Sequence, residues 1–115
     1  MNGICKGGNE VYYRYEVKMR GKWEGIFSIA DPDWRRRIGR HIKEPSWYGK
    51  QKDPRSIPTR CWFTEYGYQK YHYLIEEMIE DRSAFMDVET RLITSQELGT
   101  LVSKGKVQVI ELCGA

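Results

Sequence analysis

The feature that most constrains this chain is the alternation over residues 11–19. Val11, Tyr13, Tyr15, Val17 and Met19 fall on one side of an extended chain, and Tyr12, Arg14, Glu16 and Lys18 on the other. That period of two is the pattern of a half-buried strand. A second strand, Trp23 to Ile29, follows Arg20-Gly21-Lys22. With those three residues as the loop, Met19 opposes Trp23, Val17 opposes Gly25, Tyr15 opposes Phe27 and Tyr13 opposes Ile29, which gathers the apolar residues on one face. A two-residue loop would oppose Val17 to Glu24 and Lys18 to Trp23, so the three-residue hairpin is the expectation.

Asp31-Pro32 marks a helix start: the carboxylate can cap the free amides, and proline at the first helical position lacks a proton that would have no partner there. The helix is expected to run to about Lys43, with Trp34, Ile38, His41 and Ile42 on one stripe and Arg36, Arg40 and Lys43 opposite. Residues 44–60 hold three of the four prolines and no sustained period, the pattern of a long loop. It ends in a short extended piece, Arg60 to Phe63. Thr64 then caps a long helix over 65–82. Tyr68, Tyr71, His72, Ile75, Met78 and Ile79 form its inward stripe, while Tyr66, Lys70, Tyr73, Glu76, Glu77, Glu80 and Asp81 lie outside.

Beyond Ser83, the alternation of Met86, Val88, Thr90 and Leu92 predicts another strand. Thr94-Ser95-Gln96-Glu97 has the form of a capping box for a short helix carrying Leu98, Leu101 and Val102, ended by Gly105. Lys106 to Cys113 reads as the last strand. The expected order is β-β-α-loop-α-β-α-β, a single compact α+β domain spanning 1–115. Its sheet has about four strands, mixed or antiparallel, with helices packed on it, a flexible start at 1–9 and the basic loop at 44–60. At 115 residues the chain is long enough for one core and too short for two.

No stretch has the roughly 20 apolar residues needed to span a bilayer, and the N-terminus lacks a leader's apolar run, so a cytoplasmic protein without membrane contact is expected. Cys5, Cys61 and Cys113 fit neither a disulfide framework nor a zinc knuckle, and neither metal nor cofactor is expected. Cys61 with His72 or His41 is the best nucleophile pair on offer. His72 lies about two turns inside its helix, however, some 12 Å along the axis from its start. No glycine-rich phosphate loop follows a strand. No catalytic residue is therefore assigned.

Charge supplies the functional expectation. Between Trp34 and Arg60 lie nine of the nineteen basic residues and only two acids, Glu44 and Asp53, so the rest of a chain with net charge +3 is acidic. The candidate binding residues are Arg36, Arg40, Lys43, Trp47, Tyr48, Lys50, Lys52 and Arg55, joined by Tyr66, Lys70 and Tyr73 on the outer face of the long helix. Arginine and lysine steer an anionic partner, while tryptophan and tyrosine supply desolvated anchors or faces on which unpaired bases stack. A solvated helix face followed by a basic loop would carry the same charges. Short, aromatic-rich chains without catalytic motifs are common among phage and mobile-element proteins, including inhibitors of bacterial defence such as anti-CRISPR proteins. The expectation is a non-enzymatic binding protein of that kind acting on a protein within a nucleoprotein complex. Direct binding of RNA or single-stranded DNA, and a small enzyme without a visible motif, are the alternatives.

Overall fold

The computed structural model describes residues 10–42 and 59–113. The expected flexible start at 1–9, and Lys43, Trp47, Tyr48, Lys50, Lys52 and Arg55, lie outside the described residues, as does the 44–60 loop apart from its last two residues. The described elements are β1 (Tyr12–Met19), β2 (Lys22–Gly25), a 3-10 turn (Ile26–Ile29), α1 (Pro32–Gly39), β3 (Thr59–Phe63), α2 (Glu65–Ser83), β4 (Glu89–Ser95), β5 (Leu101–Lys104) and β6 (Gln108–Leu112). The α+β class stands, with six strands and two α-helices among the described residues in place of the expected four and three.

All pairings are antiparallel. β1 is the hub: β4 runs along one edge from Tyr12 to Lys18, while the other edge is shared by β2, at Glu16 to Met19, and β3, at Tyr13. From β3 the sheet continues through β6 to β5. The alternation of residues 12–19 predicts this strand correctly. The hairpin register does not follow: Met19 pairs with Lys22, Lys18 with Trp23 and Val17 with Glu24. The loop is the two residues Arg20 and Gly21, at φ 53° and 81°, the left-handed pair whose twist matches that of the flanking strands. Mismatched faces are tolerated because β2 is short. After Gly25 the chain turns inward, and Ile26 and Ile29 reach the core from the 3-10 turn rather than from a strand.

Asp31 caps α1 as expected, its Oδ1 accepting from the Trp34 amide at 2.8 Å. The helix stops at Gly39, short of Lys43; Trp34, Ile38 and Ile42 are buried and His41 is exposed. Thr64 caps α2 in the same way, Oγ1 accepting from Gly67 N at 3.0 Å. It also ties the helix start to the β6 approach, its hydroxyl donating to Lys106 O at 2.6 Å and its amide to Val107 O at 2.9 Å. Tyr71, Leu74, Ile75 and Met78 bury the inner stripe of α2 against Tyr15, Val17, Phe63 and the α1 residues. Tyr68, His72 and Ile79, expected inside, are only half-buried.

The expected helix after residue 94 is absent. Residues 89–95 form β4 and residues 101–104 pair with β6 as β5. Ser95 Oγ accepts from Glu97 N at 3.1 Å, two residues on, which makes a turn instead of the three-residue reach of a capping box.

Candidate interaction surface

The outer face of α2 is built by helical spacing. Tyr66, Lys70 and Tyr73 stand at i, i+4 and i+7, one above another, and both tyrosines are exposed, at 42% and 55%. Lys70 Nζ donates to Tyr66 Oη at 3.2 Å. A third group completes the strip: Lys106 Nζ lies 4.6 Å from the centre of the Tyr66 ring, and Lys70 Nζ 5.5 Å from it. The hydrogen bond from Lys70, then the charges of Lys106 and Lys70, hold the Tyr66 phenol below its usual range. Lys70 is raised, first by that hydrogen bond and then by the charges on Tyr66 and Tyr71. The result is an exposed ring with two ammonium groups near it, one of them at its hydroxyl, an arrangement that attracts carboxylates or phosphates and offers an aromatic face beside them.

Lys106 was not among the expected binding residues. Its place over Tyr66 follows from the Thr64 bonds to the carbonyls of residues 106 and 107, a pairing no local spacing encodes.

The arginines of α1 go elsewhere. Helix α1 packs antiparallel to α2: Trp34 Nε1 donates to Asp81 Oδ2 at 2.6 Å, Arg37 to Glu77 Oε2 at 2.9 Å, and Tyr71 Oη to His41 O at 3.0 Å. The Arg37 guanidinium also stacks on the Trp34 indole at 4.5 Å. Arg36 pairs with Asp33, and Arg35 donates to Ala30 O. Much of the basic run therefore neutralises carboxylates of its own chain. Asp33, Trp34, Arg37, Glu77, Glu80 and Asp81 line a cleft of about 490 Å³ between the two helices. Arg40 is exposed at the end of α1, and the antiparallel packing brings that end level with Tyr71, one residue from Lys70. The structure thus groups Tyr66, Lys70 and Tyr73 as expected and sets Arg36 apart beside the acidic cleft.

A second cluster covers the sheet face away from α2. Glu16 is 4% exposed, and its carboxylate accepts from Arg14 Nε at 2.8 Å and from Arg91 Nε and Nη2 at 2.9 and 2.6 Å. Burial alone would raise the Glu16 carboxyl, yet the two arginines together lower it. Arg91 in turn lies 3.9 Å from the centre of the Trp23 ring. This cluster was not anticipated, because the strand pairing that makes Arg91 face Glu16 is set by tertiary contact.

On the α2 side, an aromatic ladder runs outward from the sheet. Tyr13 stacks on Tyr68 at 4.0 Å, Tyr68 on His72 at 5.2 Å, and His72 meets Tyr73 edge-on at 6.4 Å. Tyr15 Oη donates to Glu76 at 2.5 Å, and its phenol is pushed far above the usual range, first by burial and then by that bond.

Among the described residues no group of three or more His, Cys, Asp or Glu side chains is placed to hold a metal ion, and no helix is long and apolar enough to cross a membrane. Comparison with known protein families, with characterised proteins and with solved structures finds no match to this chain.

Proposed function

We propose that this chain is a non-enzymatic binding protein whose recognition strip is Tyr66, Lys70 and Tyr73 with Lys106, extended by Arg40 and the basic residues beyond it, Lys43, Lys50, Lys52 and Arg55, and by Trp47 and Tyr48. Its partner is an acidic protein surface within a nucleoprotein complex, and an inhibitor of a host defence nucleoprotein, of the anti-CRISPR type and acting in the cytoplasm, fits that chemistry. One observation carries the reading: two large tyrosines stand exposed on either side of a lysine on a long, well-anchored helix. Exposed aromatics held on a rigid element lose little freedom on binding, and cations beside them steer association.

The second reading, direct binding of RNA or single-stranded DNA, is favoured by the two ammonium groups near the exposed Tyr66 ring, since such a ring can stack on a base while the lysines meet its phosphates. Fluorescence anisotropy with a labelled mixed oligonucleotide separates the two. Direct binding predicts measurable affinity at low salt that falls steeply as salt rises, with a shallower slope for Lys70→Ala and Lys106→Ala. The protein-partner reading predicts no oligonucleotide binding, together with a host protein that stays captured after nuclease treatment and is released by the Tyr66→Ala, Tyr73→Ala double variant. Capture that survives the double variant would remove α2 from the interface.

A further inference from the structure

Strand β4 is an edge of the sheet among the described residues. It pairs with β1 on one side, and among the described residues its other side has no strand. Its burial alternates only weakly, with Glu89, Arg91, Leu92 and Thr94 exposed and Leu92 at 41%. Edges of this length are ordinarily blunted by a proline, a bulge or an outward charge. Residues 89–95 contain no proline, and the β4 pairing with β1 runs in unbroken register over seven residues. The bulge in this sheet lies in β5, between Leu101 and Ser103. Of the two charges on β4, Arg91 is turned away, its guanidinium folded onto Glu16 and Trp23, and Glu89 stands at the strand's first residue, leaving residues 92–95 without a charge.

The sequence of this edge is complementary to itself. Antiparallel pairing of two copies about Leu92 sets Leu92 against Leu92, Thr90 against Thr94, Arg91 against Ile93 and Glu89 against Ser95. The leucines make an apolar pair, the threonines hydrogen-bond across strands, the arginine stem lies along isoleucine, and no like charges meet. A two-fold axis perpendicular to the sheet generates this arrangement, an isologous contact that closes on itself.

We infer that the β4 edge is a self-association surface, and that a second copy of this chain pairs with it antiparallel about Leu92 to form a continuous sheet. Directly opposed residues share a face, so the α2 helices of both copies lie on the same side of that sheet. Each copy then presents its Tyr66 and Tyr73 in the same direction.

Sedimentation equilibrium of the full chain tests this, with Leu92→Lys, Leu92→Glu and Val102→Lys as variants. Leu92 and Val102 are both already exposed, at 41% and 49%, so each variant is compatible with the folded chain. The wild type is expected to dimerise. Leu92→Lys and Leu92→Glu, which place like charges face to face, each weaken the dimer at least about tenfold. An equimolar mixture of the two recovers the dimer, and Val102→Lys on β5 leaves it unchanged. Independently of any variant, hydrogen exchange at β4 amides slows as protein concentration rises. A wild type that stays monomeric to about 0.5 mM, a dimer indifferent to Leu92→Lys, or a mixture that fails to recover association would each overturn the inference.

Discussion

The indole nitrogen of Trp34 lies 2.6 Å from the carboxylate of Asp81, and this bond anchors the start of α1 to the last turns of α2. The ring that makes it is 7% exposed and carries Arg37 on its outer face. One side chain therefore supplies core packing, a charge-assisted hydrogen bond and a stacking surface. Trp34→Phe keeps most of the ring and removes the donor, and is expected to cost about 1–2 kcal/mol. Trp34→Ala also opens a cavity and is expected to cost about 3–5 kcal/mol. Urea unfolding followed by circular dichroism measures both, and a Trp34→Phe variant as stable as the wild type would show that the hydrogen bond contributes nothing.

Glu16 predicts an acid limit to stability. Its folded carboxyl lies below the ordinary value of 4.5, so its contribution is present above that value and is lost as the pH falls through the lower, folded one. Glu16→Gln leaves two guanidinium groups short of their acceptor and is expected to cost about 2–4 kcal/mol at neutral pH, less than a fully enclosed pair would because Arg91 is half exposed. The check is a series of urea midpoints from neutral pH into the acid range. The wild type should lose stability below pH 4.5 more steeply than the variant.

Tyr15 sets the opposite limit. Burial and the bond to Glu76 raise its phenol above the ordinary value of 10.0, so its neutral form is favoured in the folded chain. That stabilisation is complete below pH 10.0 and is lost as the pH climbs beyond it. Tyr15→Phe is expected to cost about 1 kcal/mol at neutral pH and to flatten the alkaline loss. Thermal melts across the alkaline range read this directly, and parallel slopes for the two proteins would contradict it.

The start of α2 leaves no room for growth. A Cβ on Gly67 would stand 2.2 Å from the Val107 carbonyl oxygen, a backbone atom that cannot move aside alone. Gly67→Ala is therefore expected to cost about 3 kcal/mol or more, and to displace Lys106 from Tyr66. Loss of the low Tyr66 titration, followed by ultraviolet absorbance, would report that displacement.

At the hairpin the chain can be improved. Arg20 holds φ at 53°, a conformation that asparagine adopts more readily. Arg20→Asn should raise stability by about 0.5–1 kcal/mol in the same urea assay.

What could be read in advance follows from how locally each feature is encoded. The caps at Asp31 and Thr64, the strand at 12–19 and the helix from 65 depend on residues within a few positions, and all were legible. The loop at Arg20-Gly21 is not, because apolar matching decides a hairpin register only where the second strand is long enough for its faces to matter, and β2 ends after four residues. Residues 94–97 carried a helix signal that the turn at Ser95 satisfies equally well, and the pairing of 101–104 with β6 decided between them. Of the strip, Tyr66, Lys70 and Tyr73 came from helical spacing alone. Lys106, Arg91 and Glu16 acquire their neighbours only through strand pairing and caps that join distant segments, where periodicity is silent.

The position of β1 as hub bears on how the protein is made. Its edges are completed by β3, from residue 59, and by β4, from residue 89, so of its partners only β2 is at hand as the strand leaves the ribosome. Tyr13, Tyr15 and Val17 must wait for residues 59–95 before the sheet and α2 can cover them. Such distant closure slows folding and leaves an apolar strand face uncovered meanwhile. The strand whose pairing is completed late is thus made ahead of all its partners, and the nascent chain depends on that interval being short.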